Sequence, residues 1–267
     1  MKIALAQLEP VAGEPAVNRE LAVEVIGEAA TEGADLVVLP ELFTVGYFAF
    51  DAYDACTEAF EGPTLERLSE AARSNDVAVL AGSFLEDLAK TSTIDTPAST
   101  GIANTSALLD AGGEVIAWYR KHYLFGYQSE EASRLVPGES IGVATLDDMT
   151  VGITTCYDLR FPTLYEEYLD EGVTLMLVPS AWPSPRPTHW ATLTRARAIE
   201  NQWYLVAVNN AGTIAGVDLL GHSVMYDPWG REVVELSEEP EIGYGEASAD
   251  EVARIRKEFP VLESRRR

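Results

Sequence analysis

The sequence is poor in cysteine and histidine, and it has no long apolar run. Two cysteines and three histidines occur in 267 residues, so we expect no metal site, no other cofactor and no disulfide framework. Cys56 and Cys156 could pair, but a reducing compartment favours free thiols. No segment reaches the roughly 20 apolar residues of a membrane span, and the N-terminus, broken by Gln7 and Glu9, does not resemble a signal peptide. We expect a soluble, cytoplasmic protein without a membrane partner.

Positive charge is also scarce. The chain has 19 Lys and Arg against 43 Asp and Glu, for a formal net charge of -24. This balance argues against nucleic acid as a partner, because a phosphate backbone is bound by clustered cations. The acidic residues are dispersed, which is typical of proteins from a salt-rich cytoplasm, where a Debye length of about 3 Å near 1 M salt screens their repulsion. An acidic protein from an ordinary-salt source is the alternative.

Short apolar runs alternate with amphipathic stretches along the chain, which predicts an α/β fold. We treat residues 1–267 as one domain, with a loose or partner-docking tail over about 259–267. The predicted strands lie near residues 2–8, 35–40, 77–84, 105–110, 115–121, 151–155, 174–179, 204–209, 222–227 and 242–246. The predicted helices lie near 18–30, 64–74, 162–170, 187–201 and 250–258.

Several predicted strands differ in their hydrophobic patterns. The runs DLVVLP, VGITTC and TLMLVP are apolar without alternation, as expected of strands covered on both faces. Residues 222–227 and 242–246 alternate more, which predicts edge hairpins. Residues 89–101 have no apolar periodicity and are predicted to form a mobile loop.

Polar residues follow several of the apolar runs, where ligands of an open α/β sheet bind. Glu41 follows LVVLP, Lys121 follows EVIAWYR and Cys156 follows VGITT, while LMLVP leads to Ser180 and Trp182. A cysteine attacks as its thiolate, and a buried carboxylate with a raised pKa can accept its proton. A lysine can stabilise the negative charge that develops on an attacked amide or nitrile. These residue types therefore predict nucleophilic catalysis, although structural roles, such as a salt bridge of Glu41, are the alternative.

The stretches LVVLPELF, YRKHYLFG and TTCYDLRFP, in that order, resemble the three catalytic blocks of the nitrilase (carbon–nitrogen hydrolase) superfamily. The resemblance extends from IALAQLEPVAGEPAVN to GHSVMYDPWG, nearly the whole chain. It implies a four-layer α-β-β-α sandwich in which Glu41 is the general base, Lys121 the oxyanion lysine and Cys156 the nucleophile. It also implies a second glutamate that positions lysine and substrate, at Glu131 or the adjacent Glu130. A homodimer or higher homo-oligomer is implied as well.

The surroundings of the cysteine resemble the Nit-protein and ω-amidase branch, whose substrates are monoamides of dicarboxylates, although SAWPSPRPTHW departs from that branch. A small-molecule amide is thus the expected substrate. The candidate substrate-binding residues are Tyr157, Arg160, Ser180, Trp182 and His189. Arg160 could hold a substrate carboxylate, or it could pair with Asp158 or another structural carboxylate. Trp182 and His189 could line the pocket or merely pack.

Other functions fit the sequence less well. GHSVM begins like a serine-hydrolase elbow, but Met225 stands where the final glycine belongs. A papain-like enzyme would need a histidine partner that no context marks. Nitrile or N-carbamoyl hydrolysis by the same superfamily stays open, as does a catalytically idle dimeric scaffold.

Overall fold

The computed structural model describes residues 1–127 and 129–265. Its strands are β1 (Lys2–Gln7), β2 (Leu36–Val38), β3 (Ala78–Leu80), β4 (Phe84–Asp87), β5 (Ile102–Leu109), β6 (Val115–Arg120), β7 (Gly142–Leu146), β8 (Met149–Ile153), β9 (Leu175–Ser180), β10 (Tyr204–Asn209), β11 (Thr213–Ile214), β12 (Val217–Asp218), β13 (Val224–Tyr226), β14 (Glu232–Glu235) and β15 (Glu241–Glu246). Its α-helices are α1 (Pro15–Thr31), α2 (Pro63–Asn75), α3 (Glu131–Arg134), α4 (Pro162–Asp170), α5 (Pro187–Asn201) and α6 (Ala249–Glu258). Short 3-10 helices span Phe50–Ala55, Cys156–Arg160 and Val261–Ser264.

The strands form two large sheets and a small β11–β12 hairpin. In the first sheet the order is β15-β1-β2-β3-β5-β4, and β1, β2 and β3 are parallel. β3 and β4 both pair with one edge of β5, and β6 pairs with its other edge. In the second sheet the order is β14-β13-β10-β9-β8-β7, with β8, β9 and β10 parallel. Each sheet therefore has a parallel centre and antiparallel edges.

Three apolar clusters hold the layers together. One lies between the sheets and includes Leu5, Val38, Val151 and Leu177. A second joins the first sheet to α1 and α2, and a third joins the second sheet to α4 and α5. The fold is thus the predicted α-β-β-α sandwich, and burial on both faces explains why the central strands lack alternation.

The predicted helices are confirmed with small shifts at their ends, but one predicted strand is two. Residues 77–84 divide into β3 and β4, which pair with successive parts of β5. Gly82 interrupts them with a φ of +47°, and a Cβ there would lie 2.1 Å from the carbonyl oxygen of Pro40. The close approach of the two chain segments therefore breaks the strand.

The hairpin prediction was right for one segment and wrong for the other. β13 forms an edge hairpin with β14, but β15 pairs with β1 in the other sheet. β14 and β7 were missed because their residues are largely exposed or only half-buried, which weakens the apolar pattern.

Two segments predicted to be irregular are tied to the body of the protein. Residues 89–101 contain neither helix nor strand, and Arg120 Nη1 donates to the Asp95 carbonyl at 2.9 Å. Near the C-terminus, Gln202 donates to the Phe259 carbonyl at 2.9 Å. The end of the predicted tail, residues 266 and 267, lies outside the described residues. Within the described chain, no helix is long and apolar enough to cross a membrane.

Candidate active site

Loops that follow strands of both sheets meet at one cavity. Glu41 lies three residues beyond β2, Lys121 directly follows β6, and Cys156 lies three residues beyond β8. About 310 Å³ of space lies between the walls of this cavity, part of which is open to solvent. We call it the Cys156 cavity; its lining consists of Tyr47, Phe48, Lys121, Phe125, Cys156, Tyr157, Arg160, Ala181, Trp182, Pro183 and Arg186.

Lys121 lies between two carboxylates. Its Nζ is 2.7 Å from Glu41 Oε1 and 2.9 Å from each carboxylate oxygen of Glu131. All three side chains are fully buried. The neighbouring Glu130 is exposed and pairs with Arg134. The structure therefore brings Glu131, and not Glu130, to the lysine.

Further donors hold both carboxylates in place. Asn104 Nδ2 donates to Glu41 Oε1 at 2.9 Å and to Glu131 Oε1 at 3.1 Å. The backbone N–H of Ala181 donates to Glu41 Oε2 at 2.9 Å, and that of Phe125 donates to Glu131 Oε2 at 2.7 Å. Buried charges need such partners, since each would otherwise lose its hydration without compensation.

The turn that carries Glu41 is fixed by the break between β3 and β4. Ser83 Oγ accepts a hydrogen bond of 2.8 Å from the backbone N–H of Leu42, and the N–H of Ser83 donates to the Pro40 carbonyl at 3.3 Å. Leu42 has a φ of +44°, which is rare for residues with a side chain. Gly82 allows this approach because it has no Cβ.

Cys156 begins the 3-10 helix Cys156–Arg160, and its φ is +46°. Non-glycine residues with positive φ are uncommon, and such strain concentrates at functional sites. Asp158 holds the turn, because its Oδ2 accepts a hydrogen bond of 2.8 Å from the N–H of Thr155. The cysteine side chain is buried, at 8% exposure, and contacts Glu41.

Burial and neighbouring charges shift the pKa values of the central groups. Burial and then the charge of Glu41 raise the pKa of the Cys156 thiol well above its usual value, with Lys121 opposing. Burial also raises the pKa of Glu41, assisted by Glu131 and opposed by Lys121. For Lys121, burial lowers the pKa but the two carboxylates outweigh it, so the net shift is strongly upward. A neutral thiol thus faces a carboxylate of increased basicity and a firmly protonated lysine.

The substrate-binding candidates are only partly brought together. Tyr157, Arg160 and Trp182 line the Cys156 cavity. The Ser180 hydroxyl is fully buried and contacts the Val178 carbonyl at 3.2 Å, so its side chain does not line the cavity. His189 is exposed on α5 and is not part of the cavity lining, and its Nδ1 lies 3.2 Å from Arg160 Nη2.

Three residues at this site were missed in the sequence. Asn104 lies inside β5, where nothing marks it except polarity in an apolar strand. Tyr47 donates to Glu131 Oε2 at 3.0 Å from an irregular loop. Arg186, just before α5, lines the cavity, and it belongs to the atypical segment SAWPSPRPTHW. Asn104 and Tyr47 lie far along the chain from the glutamates that they contact.

Metal ligands are not grouped at this site. Among residues 1–127 and 129–265, no set of three or more His, Cys, Asp or Glu side chains is placed to hold a metal ion.

Comparison with known proteins gives relatives over the whole chain. A 2-oxoglutaramate amidase from Paenarthrobacter nicotinovorans is 37% identical over 237 residues, covering 87% of this chain and 79% of that protein. The human ω-amidase is 32% identical over 275 residues, covering 99% and 95%.

Solved structures agree in fold. A carbon–nitrogen hydrolase superfamily protein from Xanthomonas campestris, with an arsenic adduct in its active site, superposes with a TM-score of 0.89 at 29% identity, covering 100% of this chain and 97% of its own. A mutant amidase from Nesterenkonia, in which acrylamide has added to the active-site cysteine, gives a TM-score of 0.79 at 29% identity, covering 98% and 99%. The carbon–nitrogen hydrolase family model matches residues 2–257. This chain therefore belongs to the carbon–nitrogen hydrolase family, within the nitrilase superfamily.

Proposed function

We propose that this amidase-type hydrolase removes ammonia from the terminal amide of a small dicarboxylic acid monoamide, with Cys156 as nucleophile. The observation that carries the proposal is a buried thiol and a buried ammonium group that line one cavity, with a buried carboxylate in contact with both. Lys121 Nζ lies 2.7 Å from Glu41 Oε1, and Cys156 also contacts Glu41. Cys156 lines the cavity and contacts Glu41, which places a nucleophile beside a general base.

The proposed reaction proceeds through a thioester. Glu41 accepts the thiol proton as Cys156 Sγ attacks the amide carbon, and Lys121 stabilises the oxyanion that forms. Glu41 then passes the proton to the leaving nitrogen, and ammonia departs. Glu41 next activates a water molecule that cleaves the thioester, which releases a carboxylate and restores the thiol. The raised pKa of Glu41 supports both of its roles.

Glu131 has a positioning role in this proposal. Its two oxygens accept hydrogen bonds from Lys121 Nζ, and its Oε2 also accepts one from the backbone N–H of Phe125. Glu131 thus keeps the ammonium group oriented and protonated while Glu41 gains and loses a proton. Phe125 lines the Cys156 cavity, so the same contact orders part of its wall.

Arg160 supports the choice of an anionic substrate. Arg160 does not form an ion pair with Asp158. Asp158 instead accepts hydrogen bonds from Tyr119, Tyr123 and Thr155. The guanidinium lies at the cavity, where it can bind a carboxylate through paired N–H groups. The names of the relatives, 2-oxoglutaramate amidase and ω-amidase, support the same class of substrate.

Ammonia release from matched amides tests the proposal. We expect turnover of succinamate and 2-oxoglutaramate, and loss of turnover in Cys156→Ala with an unchanged circular dichroism spectrum. Cys56→Ala is the matched control, because Cys56 is a free thiol outside the cavity. A Cys156→Ala enzyme that keeps more than a few per cent of its activity would overturn the assignment. If no amide releases ammonia, and Cys156 is no more reactive toward iodoacetamide than Cys56, the protein would instead be a catalytically idle scaffold.

We also propose a homo-oligomer in the cytoplasm. Ile199, Phe259 and Val261 are 47%, 51% and 41% exposed, and the ring of Phe259 stacks on Trp229. Apolar groups gathered at one surface are typical of a subunit contact. A nucleophilic thiol favours a reducing compartment. Sedimentation analysis of Phe259→Ser and of the parent protein tests the homo-oligomer. If this surface is the subunit contact, the variant should sediment with a lower particle mass than the parent protein.

A further inference from the structure

We infer that Arg186 determines specificity by holding, together with Arg160, the carboxylate at the far end of the amide substrate. The inference rests on the proposed function, because it presumes an amide that carries a carboxylate. Both arginines line the Cys156 cavity. Arg160 ends the turn that begins with the nucleophile, whereas Arg186 comes from the loop before α5.

Neither arginine is neutralised within the described part of the chain. No Asp or Glu oxygen of residues 1–127 and 129–265 lies within 4 Å of the guanidinium nitrogens of Arg160 or Arg186. The chain has 43 acidic residues, yet none that the structure describes forms an ion pair with either of these two arginines. Many other arginines are paired in this way: Arg67, Arg120, Arg134, Arg195, Arg197, Arg254 and Arg265.

Aromatic rings hold both guanidinium groups at the cavity wall. Arg160 Cζ lies 4.8 Å from the ring centroid of Trp182, and Arg186 Cζ lies 5.5 Å from that of Phe125. The indole N–H of Trp182 donates to the Arg186 carbonyl at 3.0 Å, which links the two arginines through one side chain. Stacking uses the faces of a guanidinium and leaves the N–H groups at its edge available for a carboxylate.

The two ends of the cavity suit the two ends of the substrate. Cys156 and Lys121 are buried, whereas Arg160 and Arg186 are half-buried and reach solvent. An amide carbon at the sulfur therefore directs the rest of the molecule toward the arginines. Between them lie aromatic rings and Pro183, which suit a short methylene chain. Because the protein carries a net charge of -24, an anionic substrate needs a local cationic group to overcome the general repulsion.

Succinamate and butyramide test the inference, since they have equal length and differ in a carboxylate against a methyl group. We expect Arg186→Gln to lower kcat/KM for succinamate by on the order of 10- to 100-fold, the effect of losing a charge-assisted hydrogen bond. The same variant should change kcat/KM for butyramide less than about twofold. Arg186→Lys should restore part of the succinamate activity, since it restores the charge without the fork. Arg73→Gln is the control for net charge, because Arg73 is exposed and lies outside the Cys156 cavity.

The outcomes separate the inference from the proposed function. A wild-type enzyme that prefers succinamate, with an Arg186→Gln variant that keeps the full preference, would overturn the role of Arg186 alone. Equal losses on both amides would also overturn it, because they would indicate a structural role. A wild-type enzyme that does not prefer succinamate over butyramide would instead overturn the dicarboxylate substrate of the proposed function.

Discussion

Asp158 Oδ1 accepts a hydrogen bond of 2.9 Å from the backbone N–H of Tyr123. Its other oxygen accepts hydrogen bonds from the Tyr119 hydroxyl at 2.7 Å and from the N–H of Thr155 at 2.8 Å. One buried carboxylate therefore joins the segment around Lys121, in one sheet, to the turn of Cys156, in the other. Burial raises the pKa of Asp158 to about 6, against the hydrogen bonds that favour its ionised form.

Asp158→Asn should therefore lower the activity of the enzyme, although Asp158 does not line the Cys156 cavity. An amide offers one acceptor oxygen and turns its NH₂ group toward the backbone N–H of either Tyr123 or Thr155, so one of these contacts becomes repulsive. We expect kcat to fall by at least tenfold and stability to fall by about 1–3 kcal/mol. Steady-state kinetics and urea unfolding measure the two effects. Asp148→Asn, an exposed position with the same change of charge, should behave like the parent protein, and an equally active Asp158→Asn would contradict the positioning role.

Glu131 and Glu130 form a matched pair for testing the second glutamate. Glu131→Gln removes one of the two charges that hold Lys121 Nζ, so we expect kcat to fall by on the order of 100-fold with a smaller change in KM. Glu130→Gln disrupts only the exposed pair with Arg134 and should leave both constants within about twofold. Ammonia-release kinetics give kcat and KM for both variants. If the two variants have similar constants, the positioning role of Glu131 is wrong.

The pH dependence of activity should reflect the environment of Glu41. Burial raises its pKa above the usual value of 4.5 for a glutamate, and Glu131 adds to the rise. The general base must be ionised, so kcat/KM should fall as the pH falls through this raised pKa. We expect the acid limb of the profile to have its midpoint above pH 4.5 for a neutral amide such as butyramide. A limb at or below pH 4.5 would indicate that another group, or an unburied Glu41, controls the reaction.

Salt should stabilise the protein. With 43 acidic and 19 basic residues, the folded chain repels itself more than the expanded chain does, and the repulsion is screened as ionic strength rises. We expect Tm to rise by several degrees between about 0.05 and 1 M KCl. The double variant Glu24→Gln, Glu28→Gln removes two like charges one turn apart on the exposed face of α1. Its Tm should depend less on salt, and a Tm of the parent protein that does not depend on salt would refute the argument.

Much of the architecture could be predicted from local patterns. The helices α4 and α5 were predicted to the residue, since each begins with a proline that favours the first helical turn. The central strands were found because burial on both faces makes them continuous apolar runs. β7 and β14 were missed for the opposite reason, as their exposed positions carry little hydrophobic signal. The pairing of β15 with β1 depends on a contact between the two ends of the chain.

The sequence by itself determined the α/β class and the positions at which Glu41, Lys121 and Cys156 leave their strands, because both follow from the order of apolar and polar residues. Only the tertiary structure decided between Glu130 and Glu131, since one step along a helix turns a side chain by about 100°. It likewise turned the Ser180 hydroxyl away from the cavity and brought Asn104 and Arg186 toward it. These contacts join segments that are distant in the chain, and a local pattern carries no information about which distant segments will meet.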